Sequence, residues 1–219
     1  MSDHPSLPYS GLPRLGVPAP AFEADSTHGR LALSDFAGQW LVLFSHPADF
    51  TPVCTTEFLA FARAADQFEA RGAVLLGLSI DSIYSHLAWL QRLDEKFGVK
   101  VPFPVLADHD RAVATAYGML MPGESKTEAS RCLFIIDPKG IVRAMIYYPM
   151  SAGRSIAEVL RLLDSLQLTT TQGLATPADW QPGDTAIEPA PRTIEEARER
   201  ASDPAAADWF FRLKPPAGS

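Results

Sequence analysis

The segment Ser45-His-Pro-Ala-Asp-Phe-Thr-Pro-Val-Cys-Thr-Thr-Glu57 concentrates residue types that do covalent chemistry. Cys54 supplies a nucleophile. Thr51, three residues earlier, supplies a hydroxyl able to hydrogen-bond the sulfur or a substrate oxygen. Thr51 followed by Pro52 reads as a helix N-cap with proline at the first helical position, which places Cys54 in the first turn. There the free backbone N–H groups and the helix dipole favour negative charge. An ordinary thiol titrates at about 8.5, but beside a cation at a helix N-terminus it can fall to roughly 3.5–7.5, making the thiolate a major form. The thiolate is the nucleophilic species. The bland alternative is a buried, inert cysteine. His46 could hydrogen-bond near the sulfur or simply pack beside the loop. His4, His28, His86 and His109 lack metal-ligand spacing and are expected in solvent or rim positions, so neither a metal nor a cofactor is expected.

The elements around this segment follow from apolar patterning. Trp40-Leu-Val-Leu-Phe44 and Ala73-Val-Leu-Leu-Gly-Leu-Ser-Ile80 read as buried strands. Cys132-Leu-Phe-Ile-Ile136 and Ile141 to Tyr148 are two more, joined by Asp137-Pro-Lys-Gly140, a turn that favours an antiparallel hairpin. Phe58, Phe61, Ala65 and Phe68 share one helix face. A second helix is expected over Ile83 to Phe97. A third, capped by Ser155, carries the stripe Ile156, Val159, Leu160 and Leu163. This alternation suggests an α/β sandwich with a mixed sheet. Its active segment leaves a strand and enters a helix, where such sheets place their sites.

The chain has 219 residues, 47% of them hydrophobic and 21% charged, which excludes disorder along its whole length. A net charge of −7, from 19 basic and 26 acidic residues, argues against nucleic acid or an anionic membrane as a partner. No apolar run approaches the about 20 residues of a bilayer span. The N-terminal sequence lacks a secretory signal pattern, and two cysteines are too few for a disulfide scaffold. A cytoplasmic, reducing location is expected. Five early prolines (Pro5, Pro8, Pro13, Pro18, Pro20) should keep the N-terminus extended. The main domain is expected over 1–168. Residues 169–219 form an extension poor in periodic apolar residues, with one short helix marked by the Thr193–Glu196 capping box. Its aromatics Trp180, Trp209, Phe210 and Phe211 are expected to dock on a partner subunit, with docking on the same chain the alternative.

Pro47-x-x-x-Thr51-x-x-Cys54, with Phe50, Pro52, Val53 and Glu57, resembles the peroxiredoxin signature. Leu43-Phe-Ser-His-Pro and Thr55-Thr56 are similar to the 1-Cys branch, the peroxiredoxin 6 type. The resemblance continues collinearly through Leu78-Ser-Ile-Asp-Ser82, His86-Leu-Ala-Trp89, Tyr147-Tyr-Pro149, Gly153-Arg154, Asp164-Ser-Leu-Gln-Leu168 and Ala175-Thr-Pro-Ala-Asp-Trp180. It implies a thioredoxin-like fold with a mixed central sheet flanked by helices and a C-terminal extension. It also implies reduction of hydrogen peroxide and organic hydroperoxides through a Cys54 sulfenic acid. Arg131 matches the arginine that approaches the sulfur, with Glu57 and Arg154 orienting it. Pro47 and Phe50 match residues that shield the site. The resemblance further implies an external thiol reductant and a homodimer, sometimes assembled into a ring of five dimers.

Cys132 is the remaining sulfur. If Arg131 faces the site, strand alternation turns Cys132 to the opposite face, so it should not resolve the sulfenic acid. Some long members of this branch carry a phospholipase Ser/His/Asp set. Here Ser34 and Gln39 stand at two of its positions, and Gly77-Leu-Ser-Ile-Asp81 fails the G-x-S-x-G pattern, so lipase chemistry is not expected. Thr51 in place of a second thiol disfavours disulfide exchange. A peroxide sensor or redox-switched chaperone is the non-enzymatic alternative. Met119-Leu-Met-Pro122 is expected to pack in the core, with a peroxide approach or an interface as the alternative.

Overall fold

The computed structural model describes residues 12–215. Most of the extended N-terminal segment therefore lies outside the described residues. The chain divides into two compact units, the first ending at Ile156 and the second beginning at Ala157.

The first unit holds β1 (Glu23–Ser26), β2 (Gly29–Ala32), β3 (Trp40–Ser45), α1 (Pro52–Glu69), β4 (Ala73–Ser79), α2 (Ile83–Phe97), β5 (Val105–Ala107), α3 (Ala112–Ala116), β6 (Arg131–Ile136) and β7 (Val142–Tyr148). Seven strands form one sheet in the order β2-β1-β5-β4-β3-β6-β7. β3, β4 and β5 run parallel, linked by α1 and α2, and the outer pairs are antiparallel. Parallel neighbours need a crossover, which α1 and α2 supply. The hairpin turn closes through the Gly140 amide on the Asp137 carbonyl at 2.8 Å.

Alternation along the strands builds two cores. Leu41 and Leu43 of β3 join Leu76, Leu78, Tyr117, Met119, Cys132, Phe134 and Ile136 on one face, where α3 contributes Val113 and Ala114. Met119 is thus core packing, as expected. On the opposite face Phe44 stacks on Phe61 of α1 at 4.1 Å and meets Phe58 edge-on at 5.6 Å. Gly77 of β4 is small for a reason: a Cβ there would lie 3.2 Å from the Phe58 ring. α2 adds Trp89, whose ring lies 4.6 Å from that of Phe58. The apolar pattern of α1 therefore fixes its rotation and decides which first-turn side chains point inward.

The end of β3 is clipped to β6 by a side chain. Ser45 Oγ donates to the Ser130 carbonyl at 2.6 Å and accepts from the Cys132 amide at 3.1 Å. That pair fixes the height of Arg131 against the loop entering α1.

The second unit contains α4, which starts at Ile156 directly after Ser155 and runs to Gln172, then β8 (Ala186–Ile187), α5 (Ile194–Ala201) and β9 (Leu213–Lys214). α4 is continuous across residue 168, so the division between the units falls earlier in the chain than the composition shift. α5 carries the expected capping box, with the Thr193 hydroxyl accepting from the Glu196 amide. β8 and β9 pair antiparallel, a small sheet the apolar pattern did not announce. Trp180 is buried and its indole N–H donates to the Asp184 carbonyl, whereas Trp209, Phe210 and Phe211 are exposed. Among the described residues, no helix is long and apolar enough to cross a membrane.

The Phe44–Phe61 stack makes α1 the anchor of its face. Phe61→Ala is expected to lower the unfolding free energy by about 3–5 kcal/mol, measured by urea denaturation, because the closed face cannot collapse around the void.

Candidate active site

β3 ends at Ser45 and α1 begins at Pro52, so residues 46–51 must turn the chain in six steps. Phe50 takes φ +58°, the left-handed region, and its ring stands 57% exposed. Pro47, by contrast, is buried. Thr51 has the extended backbone of an N-cap (φ −102°, ψ 149°), as the Thr-Pro pair predicts. Its side chain does not cap the helix. The hydroxyl proton goes to the Ala48 carbonyl at 2.8 Å, closing the loop, and leaves the oxygen's lone pairs as acceptors. The first-turn amides of Val53 and Cys54 are consequently unclaimed by Thr51. Cys54 is the third helical residue and is fully buried.

Glu57, one turn on, lies on the same face of α1 as Cys54 and is also buried. It is shared by two arginines from distant parts of the chain. Arg131 Nη1 donates to Glu57 Oε2 at 2.7 Å and lies 3.4 Å from Cys54 Sγ. Its Nε and Nη2 both donate to the Met150 carbonyl, at 2.9 and 2.7 Å. Arg154 grips Glu57 with Nε on Oε1 at 2.8 Å, Nη2 on Oε2 at 2.9 Å and its backbone amide on Oε1 at 2.8 Å. Arg154 Nη1 donates to the Cys132 carbonyl at 2.7 Å, and its guanidinium lies over the rings of Phe44 and Phe61. Burial pushes the Glu57 carboxyl up. Hydrogen bonds and charge from Arg154, then the charge of Arg131, outweigh that and hold it below its ordinary value. The cluster thus comprises two guanidiniums and one carboxylate, so it carries one positive charge more than it balances, on the side of the sulfur.

Cys132 is buried in the core on the opposite sheet face, as strand alternation predicts. Burial pushes its thiol up to about 12, against weaker opposing effects of Ser45 and Arg154.

A second buried polar group gathers around His46. Its Nε2 lies 2.9 Å from Asp49 Oδ1, and His86 Nδ1 lies 2.8 Å from Asp49 Oδ2. His86 is fully buried, so the expectation of a rim position is overturned: α2 turns the ring under the β3–α1 loop, where Asp49 and the Leu106 carbonyl satisfy it. His28 and His109 are exposed, as expected, while His4 lies outside the described residues. The ligand atoms of His46, Asp49 and His86 lie within 4.8 Å of one another, close enough to surround a cation, but the hydrogen bonds within the group already occupy them. Asp49 and Met150 are the members of this region that motif reading missed, and His86 is the one it misplaced. Asp49 sits inside the Cys54 segment itself, but only folding shows what it faces.

Comparison with known proteins identifies the family. The AhpC/TSA family pattern matches residues 15–145, and the C-terminal domain of 1-Cys peroxiredoxin matches residues 165–203. A peroxiredoxin of Aquifex aeolicus is 53% identical over 215 residues, covering 93% of this chain and 97% of the relative. Peroxiredoxin 2 of Thermoplasma acidophilum is 47% identical, covering 91% and 99%. Among solved structures, the C45S mutant of peroxiredoxin 6 from Arenicola marina superposes with a TM-score of 0.83 at 38% identity, covering 94% of this chain and 99% of that one. A yeast mitochondrial 1-Cys peroxiredoxin, studied for thiol resolution via glutathione/thioredoxin systems, gives 0.81 at 38% identity, covering 93% and 100%. With its thioredoxin-like mixed sheet and its 1-Cys C-terminal domain, the chain belongs to the peroxiredoxin family of thiol peroxidases.

Proposed function

We propose that Cys54 is the peroxidatic nucleophile, that it reduces hydrogen peroxide and organic hydroperoxides, and that an external thiol resolves its sulfenic acid. The carrying observation is the Arg131 guanidinium 3.4 Å from the sulfur, in a buried cluster with one positive charge left over. Unbalanced buried charge is costly, and a thiolate at Cys54 completes the balance. The sulfur lone pair attacks the hydroxyl oxygen of ROOH and the O–O bond breaks. The leaving RO⁻ takes up a proton, so sulfur is oxidised to the sulfenic acid and the peroxide is reduced to alcohol or water. Charge spreads along S···O···O as this happens. Donors from Arg131 and the first-turn amides are fixed in advance where that charge develops. Glu57 and Arg154 hold Arg131 in place. Pro47 keeps bulk water from the sulfur, and the Thr51 oxygen accepts from the substrate hydroxyl.

Resolution then follows as thiol chemistry. One thiol condenses with the sulfenic acid, releasing water and forming a mixed disulfide, and a second thiol displaces Cys54 as a free thiol. Cys132 does not compete, being turned to the other face of the sheet with a thiol that stays protonated. The thiol resolution attributed to the yeast mitochondrial relative supports the external route. We further propose a homodimer in which residues 169–219 dock on the partner subunit, because Trp209, Phe210 and Phe211 lie exposed within this chain.

Cys54→Ser is expected to reduce hydrogen peroxide turnover to background, and Arg131→Met to lower the second-order rate by roughly a hundred- to a thousandfold. Stopped-flow measurement decides, and wild-type turnover in Cys54→Ser rejects the assignment. After one equivalent of peroxide, peptide mass mapping should find Cys54 as sulfenic acid with no bridge to Cys132; an obligatory bridge overturns external resolution. In sedimentation, the wild-type chain should run as a dimer and the Trp209→Ala/Phe210→Ala variant should shift toward monomer. A monomeric wild type, or an unshifted variant, overturns the docking assignment.

A further inference from the structure

The Met150 carbonyl that holds Arg131 is itself held. It belongs to a turn, Pro149 to Ala152, closed by the Ala152 amide on the Pro149 carbonyl at 3.1 Å. The turn follows β7 directly and delivers two contacts to the site. Its Met150 carbonyl takes Nε and Nη2 of Arg131, and just beyond it the Arg154 amide reaches Glu57. Gly153 seats the same segment on α1, where an added Cβ would stand 3.5 Å from the Val53 side chain. The Met150 amide donates elsewhere, to Glu124 Oε2 at 2.8 Å.

Glu124 lies on the loop that leads into β6. That loop is closed at its base by the Leu120–Ala129 bridge and by the Ser130 amide on the Met119 carbonyl at 2.8 Å; the next residue is Arg131. Within it the Met121 carbonyl accepts from the Glu124 and Ser125 amides at 2.8 and 3.0 Å. The Ser125 hydroxyl oxygen accepts from the Thr127 and Glu128 amides at 3.2 and 3.1 Å. The Glu124 side chain therefore starts from a backbone that is bonded to itself. Between this loop and the turn lies an open cavity of about 420 Å³, lined by Met121, Pro122, Ser130, Tyr148 and Pro149 along with Glu124. Across such a gap a hydrogen bond does what packing cannot. Glu124 is exposed, so water would satisfy the Met150 amide in its absence. Losing the carboxylate thus removes an anchor and strands no buried donor.

We propose that Glu124 is a positioning residue of the peroxidase site: its carboxylate fixes the Met150 turn, and the turn fixes the Arg131 guanidinium that faces Cys54. The relay runs from Glu124 Oε2 to the Met150 amide, and from the Met150 carbonyl to Arg131, whose Nη1 lies 3.4 Å from the sulfur. Glu124 itself touches neither the sulfur nor the peroxide. Hydrogen bonds to an ionised acceptor are the stronger kind. A donor that must meet charge developing on the peroxide oxygens loses effect steeply when it is displaced. The inference rests on the reading of Cys54 as nucleophile, and it assigns a use to an exposed acidic residue outside the signature motif.

The test is a double-mutant cycle on the full-length chain, read as the second-order rate with hydrogen peroxide by stopped flow. Glu124→Ala is expected to lower that rate about three- to tenfold. Glu124→Gln, whose side-chain carbonyl can still accept from the Met150 amide, should return most of it. In an Arg131→Met background, Glu124→Ala should change the rate by less than about twofold, because the group it positions is gone. A contact that serves only stability would lower the rate by the same factor in both backgrounds, and that result overturns the proposal. So does a Glu124→Gln protein no faster than Glu124→Ala. A Glu124→Ala protein with wild-type rate, beside an inactive Cys54→Ser, removes this inference alone. Activity in Cys54→Ser removes the nucleophile reading and this inference together.

Discussion

The site depends on one carboxylate held between two guanidiniums. Glu57 accepts from Arg131 and from Arg154, and all three side chains are buried. Removing Glu57 would strand two guanidiniums in the protein interior, where an unpaired ion costs several kcal/mol. The arrangement is therefore rigid by electrostatic necessity. Its single surplus positive charge lies beside Cys54 because Glu57 and Cys54 are three residues apart on one helix face.

The fold serves that charge arrangement in a traceable order. The Phe44–Phe61 stack and the Phe58 contact over Gly77 fix how α1 is rotated on the sheet. That rotation turns Cys54 and Glu57 inward together. Ser45 then ties the end of β3 to the start of β6, which sets Arg131 at the height of the helix N-terminus. The Met150 carbonyl accepts from both Nε and Nη2 of Arg131, while Nη1 bonds Glu57 and faces the sulfur, so Arg131 has little freedom left. The aromatic packing and the charge cluster beside Cys54 are one structure, since Arg154 lies over the same rings that anchor the helix.

Two buried polar clusters differ in what they leave open. The Glu57 cluster leaves a positive charge and is complemented by an anion. In the other, Asp49 lies within hydrogen-bond distance of both His46 and His86, and His46 Nδ1 is left without a partner.

Local sequence was enough for the elements that repeat a strong pattern. The buried strands, α1, α2, the Asp137–Gly140 hairpin, the Thr51-Pro52 helix start and the α5 capping box are set by neighbours along the chain, whose sterics and hydrogen bonds act within a few residues. Strand alternation likewise separated Arg131 from Cys132. The short strands β1, β2 and β5 escaped because three or four residues, some of them polar and at a sheet edge, carry no period to read. Partnership across the chain could not be read at all. That Asp49 meets His86, that Arg131 is pinned by Met150, and that His46 keeps an unpaired nitrogen all depend on atoms brought within 3 Å by sheet register and helix rotation. Hydrogen bonds and ion pairs are short-ranged in space, not in sequence, and so the tertiary structure alone decided them.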